Sequence, residues 1–331
     1  MKNERILYLD LLKTIAIFAV ISIHLFNISK GQVLHTDIGN FQAFFRFAVP
    51  IFLMVTGVLF LNKEIDLKIY FKKRFTRIFY PLIFFTIITE LIFQIGRVFN
   101  YYWYSWMILG VIFAIPIINK FILYADEKEL NYYLLVIIAF SIIQQIFHIF
   151  EIRYALDMTF FLNPVAYLLL GYYLYNKDFN CSTPNVLAIS LVLFIVSSLL
   201  KFEFGNYYYS TQLFTFMDLS LFQLIQAASL FVFVKYLYDE HASGIVRSFL
   251  DSNPVKKFIL SVSKTSYGMY FIQHPIVFEI IKPYYLQLSL TGTKSFILII
   301  AFCVAVFFIS WILTLIFGKI PYLNKVSGYH P

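Results

Sequence analysis

The 331-residue sequence is 60% hydrophobic and 21% aromatic but only 13% charged, well below the quarter or so that a soluble domain carries, and this excludes a water-soluble fold. Its net charge of +8 does not point to nucleic acid, because the lysines and arginines collect in alternate connections between apolar runs, where they orient a membrane chain. The fold class read from these facts is all-α: a polytopic membrane bundle of about ten transmembrane helices, with residues 1–331 forming a single domain.

In chain order, apolar runs predict helices near 6–28, 41–61, 78–96, 103–119, 131–150, 159–175, 185–201, 217–238, 264–282 and 295–317. The first carries Asp10, Lys13 and His24 and is followed by no small-residue cleavage site, so it is read as a retained helix rather than a signal peptide. The second holds Arg46. The connection after it, Lys68 to Pro81, contains Lys72, Lys73, Arg74 and Arg77, and the third helix holds Glu90 and Gln94. Tyr101, Tyr102, Trp103, Tyr104 and Trp106, and later Tyr207 to Tyr209, gather near predicted helix ends, where amphipathic rings serve as interface anchors.

Further along, His148, Asp218, His274 and Glu279 fall in or near apolar spans, and residues 242–263 read as an amphipathic segment on the inner leaflet. Cys181 and Cys303 sit in environments too different to suggest a bridge. Counting basic residues by connection places both termini in the cytoplasm.

Ionisable groups in hydrocarbon are costly, so each is a candidate for function, with helix-bundle packing as the competing account. Lys13 and His24 are eleven positions apart, which on a helix is three turns plus about 20° and about 16 Å of rise. The two side chains therefore share a face and suit an elongated ligand with phosphates at one end and a reactive group at the other, such as an acyl-coenzyme A. Asp10, one turn before Lys13, can pair with it or with a nearby arginine. Lys73 and Arg77 are also one turn apart and present a basic face to phosphate groups, or to anionic lipid.

Together these residues resemble the acyltransferase-3 family of bacterial membrane enzymes. Arg5-Ile-Leu-Tyr-Leu-Asp10-Leu-Leu-Lys13 followed by His24 is similar to its opening signature. Phe47-Ala-Val-Pro50 through Thr56-Gly57 resembles its second-helix motif, and Lys72-Lys73-Arg74-Phe-Thr-Arg77 its basic entry to the third helix. Trp103-Tyr-Ser-Trp106 through Gly110 to Pro116 resembles the fourth helix, and Tyr167-Leu-Leu-Leu-Gly171 the sixth. Ser266-Tyr-Gly268-Met-Tyr270-Phe-Ile-Gln273-His274-Pro275 resembles the penultimate helix, except that tyrosine-x-x-histidine is here tyrosine-x-x-glutamine, which argues against a catalytic role for His274.

The resemblance implies a membrane O-acyltransferase, in a stand-alone form without an esterase-like domain. It would move an acyl group, most often acetyl, from acyl-coenzyme A to a hydroxyl of a surface or extracellular polysaccharide or its lipid-linked precursor, at the bacterial cytoplasmic membrane. His24 is then the catalytic residue, and Lys13, Lys72, Lys73, Arg74 and Arg77 bind the donor. Asp10, Arg46, Glu90 and Trp106 support them. No metal or resident cofactor is expected; the partners are acyl-coenzyme A, the glycan acceptor and membrane lipid. Two other readings use the same charges: a transporter or flippase for lipid-linked sugars, and a scaffold subunit of a polysaccharide synthase.

Overall fold

A computed structural model describes residues 5–28, 40–96, 101–149, 164–209, 221–238, 244–288 and 292–329. Helices α1 (Leu7–Ile28), α2 (Ala48–Phe60), α3 (Leu67–Phe93), α4 (Trp103–Tyr124), α5 (Glu127–Ile149), α6 (Pro164–Asn176), α7 (Thr183–Tyr209), α8 (Leu221–Leu237), α9 (Gly244–Asp251), α10 (Asn253–Pro275), α11 (Lys282–Gln287) and α12 (Gly292–Lys319) follow one another, with no strand among the described residues. All ten segments read from the sequence contain helix. Seven helical stretches among the described residues are long and apolar enough to cross a membrane. The chain is an all-α membrane protein.

Two boundaries differ from expectation. The basic stretch after α2 is not a loop: Asp66 accepts from the Ile69 amide at 2.9 Å, capping a helix that starts at Leu67 and so carries the cations in its first turns. The segment 242–263 divides into α9 and the beginning of α10, which starts at Asn253.

The chain separates into two compact units, with boundaries inside α1, α4 and α10. One comprises residues up to 16, 46–63 and 117–257. Its tightest contact is between α2 and α6: a Cβ on Gly57 would lie 2.0 Å from the Leu168 carbonyl oxygen, and one on Gly171 would lie 2.3 to 2.6 Å from the Met54 backbone. The contact is reciprocal and antiparallel, two glycines three residues from their partners' partners, as expected where helices gain only dispersion from approaching in lipid. On α8, Lys235 donates to the carbonyls of Leu174, Tyr175 and Lys177 at 3.1, 2.9 and 2.8 Å, satisfying groups left open at the α6 C-terminus.

The other unit comprises residues 17–45, 64–116 and 258 onward. Here α3 and α4 form an antiparallel pair, tied by Tyr70 to the Ile112 carbonyl at 3.1 Å and by Thr89 to Tyr102 at 2.8 Å. Alongside α3, α10 runs parallel: Tyr267 donates to the Ile78 carbonyl at 3.2 Å, and seven residues further along α3 Phe85 stacks on Phe271 at 4.8 Å. Phe26 of α1 packs against Phe41, Phe45 and Phe296. Gly268 lets the backbone of Ser327 cross α10, since a Cβ there would lie 2.3 Å from the Ser327 carbonyl.

Tyrosines also repair proline damage. Pro116 and Pro275 lie within or at the end of helices and cannot donate to the carbonyls four residues earlier, namely Ile112 and Phe271. Tyr70 bonds the first at 3.1 Å and Tyr102 the second at 3.5 Å. Tyr102 is therefore not an interface anchor as its sequence position suggested; it is 0% exposed, because an internal carbonyl needs its hydroxyl.

Candidate active site

In the unit containing the end of α1, His24 meets α10. Its Nδ1 lies 3.1 Å from Oε1 of Gln273, and its ring centroid lies 4.8 Å from that of His274 in an edge-to-face arrangement. Gln273 is 0% and His274 8% exposed. The Gln273 amide nitrogen donates to the Tyr270 carbonyl at 3.2 Å. Phe278, one turn past His274, closes a side, with centroids 5.5 Å from His24 and 4.6 Å from His274.

Local sequence explains the placement. Tyr267, Tyr270, Phe271, His274 and Phe278 recur at helical spacing, so one stripe of α10 faces α3 and the start of α4. Pro275 then interrupts the α-helical ladder, and residues Ile276–Ile281 continue as a π-helix, a wider turn common at functional sites. On the far side of His274, the Tyr101 ring lies 4.1 Å away and its hydroxyl donates to Glu279. The Nδ1 of His274 has no hydrogen-bond partner among the described residues. An unpaired buried polar group costs about 1–3 kcal/mol.

The cations on α3 lie in register with this pair. Arg77 adjoins Ile78, which meets Tyr267, and Tyr267 precedes His274 by seven residues, or about 10 Å of rise. Lys72, Lys73 and Arg74 extend the same series to about 20 Å. Lys72, Lys73 and Arg77 are exposed and Arg74 is half-buried.

The remaining sequence candidates separate by environment. Lys13 lies on α1, three turns before His24 on one unbroken helix, and at 3.7 Å from Asp10, whose carboxylate also accepts from Arg5 at 2.7 and 3.1 Å. Arg46 is half-buried at the break before α2; that break follows because Pro50 has no N–H for the Arg46 carbonyl. Both oxygens of Glu90 accept from the Gly96 amide, at 3.0 and 3.1 Å, so this carboxylate secures the turn after α3, and Gln94 is the left-handed residue ending that helix. Trp106 is 38% exposed on α4. Asp218 lies outside the described residues, as do the side chains of His148 and Tyr207 to Tyr209.

The sequence reading discounted His274 because it follows the position where histidine is usual, yet the structure sets it against His24. Gln273 itself was read only as a departure. What could have identified both is their place on the tyrosine stripe of α10, immediately before the proline. Among the described residues no group of three His, Cys, Asp or Glu is arranged to hold a metal ion.

Compared with known proteins, residues 6–315 match the family model described as an acyltransferase domain, that of the acyltransferase-3 family. No curated protein and no solved structure matches.

Proposed function

We propose, since the chain belongs to the acyltransferase-3 family and is thus a membrane O-acyltransferase, that it moves an acetyl or similar short acyl group from acyl-coenzyme A to a hydroxyl of a surface polysaccharide or its lipid-linked precursor. The observation carrying this reading is a pair of imidazoles in ring contact, half-buried His24 held by an amide and buried His274 with no partner for Nδ1 among the described residues, in register with the cations of α3.

In this mechanism the donor's phosphates meet Lys72, Lys73, Arg74 and Arg77, which supply charge-assisted hydrogen bonds, with Lys13 a further cation three turns along α1 from His24. The thioester then lies beside His24. Neutral imidazole takes the proton of the acceptor hydroxyl as its oxygen bonds the carbonyl carbon. The carbon–sulfur bond breaks, and the departing thiolate takes that proton from the imidazolium. His274 offers its unpaired nitrogen to the acceptor hydroxyl or to the carbonyl oxygen, replacing the missing hydrogen bond when substrate is present. The same charges would serve a flippase for lipid-linked sugars, but such a protein needs no base beside the cations. The weight of basic residues in alternate connections supports a cytoplasmic membrane setting with both termini inside the cell.

Membranes containing the protein are expected to consume acetyl-coenzyme A when given a glycan acceptor, and His24→Ala to lower that turnover by a factor of about 100 to 10,000 with insertion intact. Transport of a labelled lipid-linked sugar without donor, or full turnover by His24→Ala, would overturn the proposal.

A further inference from the structure

We infer that Gln273 fixes the tautomer of His24, holding the ring proton on Nδ1 and leaving Nε2 as the nitrogen that accepts a proton in the transfer. The inference rests on the acyl-transfer reading for its chemical meaning but on hydrogen bonding for its argument.

The amide of Gln273 has two ends with opposite demands. Its nitrogen lies 3.2 Å from the Tyr270 carbonyl, a group that can only accept, so the NH2 must point there. Turning the amide over would set two carbonyl oxygens against each other. Oε1 is therefore directed at His24 Nδ1, 3.1 Å away, and because a carbonyl oxygen cannot donate, Nδ1 carries the hydrogen. A neutral imidazole has one N–H; with Nδ1 protonated, the lone pair is on Nε2. Gln273 is fully buried, so water does not compete for either bond.

The side chain that does this is uncharged, and that has a chemical consequence. A carboxylate in its place would stabilise imidazolium and hold the proton that the departing thiolate needs. An amide orders the ring without that charge. Among the described residues, Gln273 and His274 from α10 and Phe278 from the π-helical turn face His24. Behind His274 stand Tyr101 and Glu279, bonded to each other. Two residues further along α1, Phe26 is packed by Phe41 and Phe45. Gln273 is thus a positioning residue, acting through His24.

Two substitutions in the full-length protein in membranes test this. Gln273→Met keeps length and burial but removes the acceptor, so the proton is free to move to Nε2; kcat is expected to fall roughly a hundredfold with KM for acetyl-coenzyme A unchanged. Gln273→Glu keeps an acceptor and adds charge, so the acidic limb of the kcat/KM profile is expected to move up by about one pH unit or more. Carbethoxylation of His24 by diethyl pyrocarbonate, followed against pH by peptide mass spectrometry, reports the same titration without turnover and should move with it. The inference is overturned if Gln273→Met turns over normally, or if the labelling titration of Gln273→Glu overlays that of the unaltered protein. Should the unaltered protein show no acyl transfer, the labelling titration alone decides about Gln273, and the proposed function fails separately.

Discussion

The α2–α6 contact and the stripe of α10 beside His24 are both written in the sequence as short motifs around a glycine or proline, yet they do opposite things. At the first, Gly57 and Gly171 bring backbone onto backbone with no room for a Cβ. At the second, an amide, two imidazoles, a carboxylate and tyrosine hydroxyls gather in buried or half-buried positions, and one imidazole nitrogen has no partner among the described residues. In an apolar solvent a polar group without a partner is expensive, so the two regions differ in what their packing leaves unsatisfied.

That contrast breaks first at the glycines. Gly171→Leu forces a branched side chain into the Met54 backbone, and the expected outcome is loss of folded protein, read as aggregation on detergent extraction, since no small shift relieves a 2.3 Å approach. Normal monodisperse protein from this variant would show the contact to be dispensable.

On the polar side, replacing Arg74 and Arg77 together by Gln should leave folding intact and raise KM for acyl-coenzyme A about tenfold or more with kcat little changed, as removal of donor binding common to ground and transition states does. The KM of the unaltered protein should also rise with salt, and that of the variant less so. An unchanged KM would move the donor's phosphates away from α3.

The smallest effect is expected from Tyr102→Phe. It removes the hydroxyl between Thr89 and the Phe271 carbonyl, and a loss of about 0.5–1.5 kcal/mol in stability, measured by thermal denaturation in detergent, should come with little change in kcat. A large fall in kcat at unchanged stability would mean that Tyr102 belongs to the chemistry.

Much of this was legible in the sequence. Sixty per cent hydrophobic residues in long runs dictate membrane helices, because only a helix satisfies its own backbone in hydrocarbon, and the position of His24 on the first helix, with Lys13 three turns away, was readable from helical period alone. The pairing of Asp10 with Lys13 and an arginine was legible too, since Lys13 lies one turn along the same helix and Arg5 only five residues earlier in the chain.

Tertiary structure alone decided the rest. Gln273 and His274 are 249 and 250 positions from His24, and no local period relates residues so far apart. Tyr102 was read as an anchor because its need for an internal partner, a carbonyl freed by Pro275 on another helix, exists only once the helices are packed. Glu90 was read as a site candidate, though its carboxylate is committed to the Gly96 amide. Sequence set which segments enter the membrane and which charges they carry, since burial in lipid depends on composition and period. Packing determined which of those polar groups find partners in another helix, because hydrogen bonds between helices depend on geometry that no single helix contains.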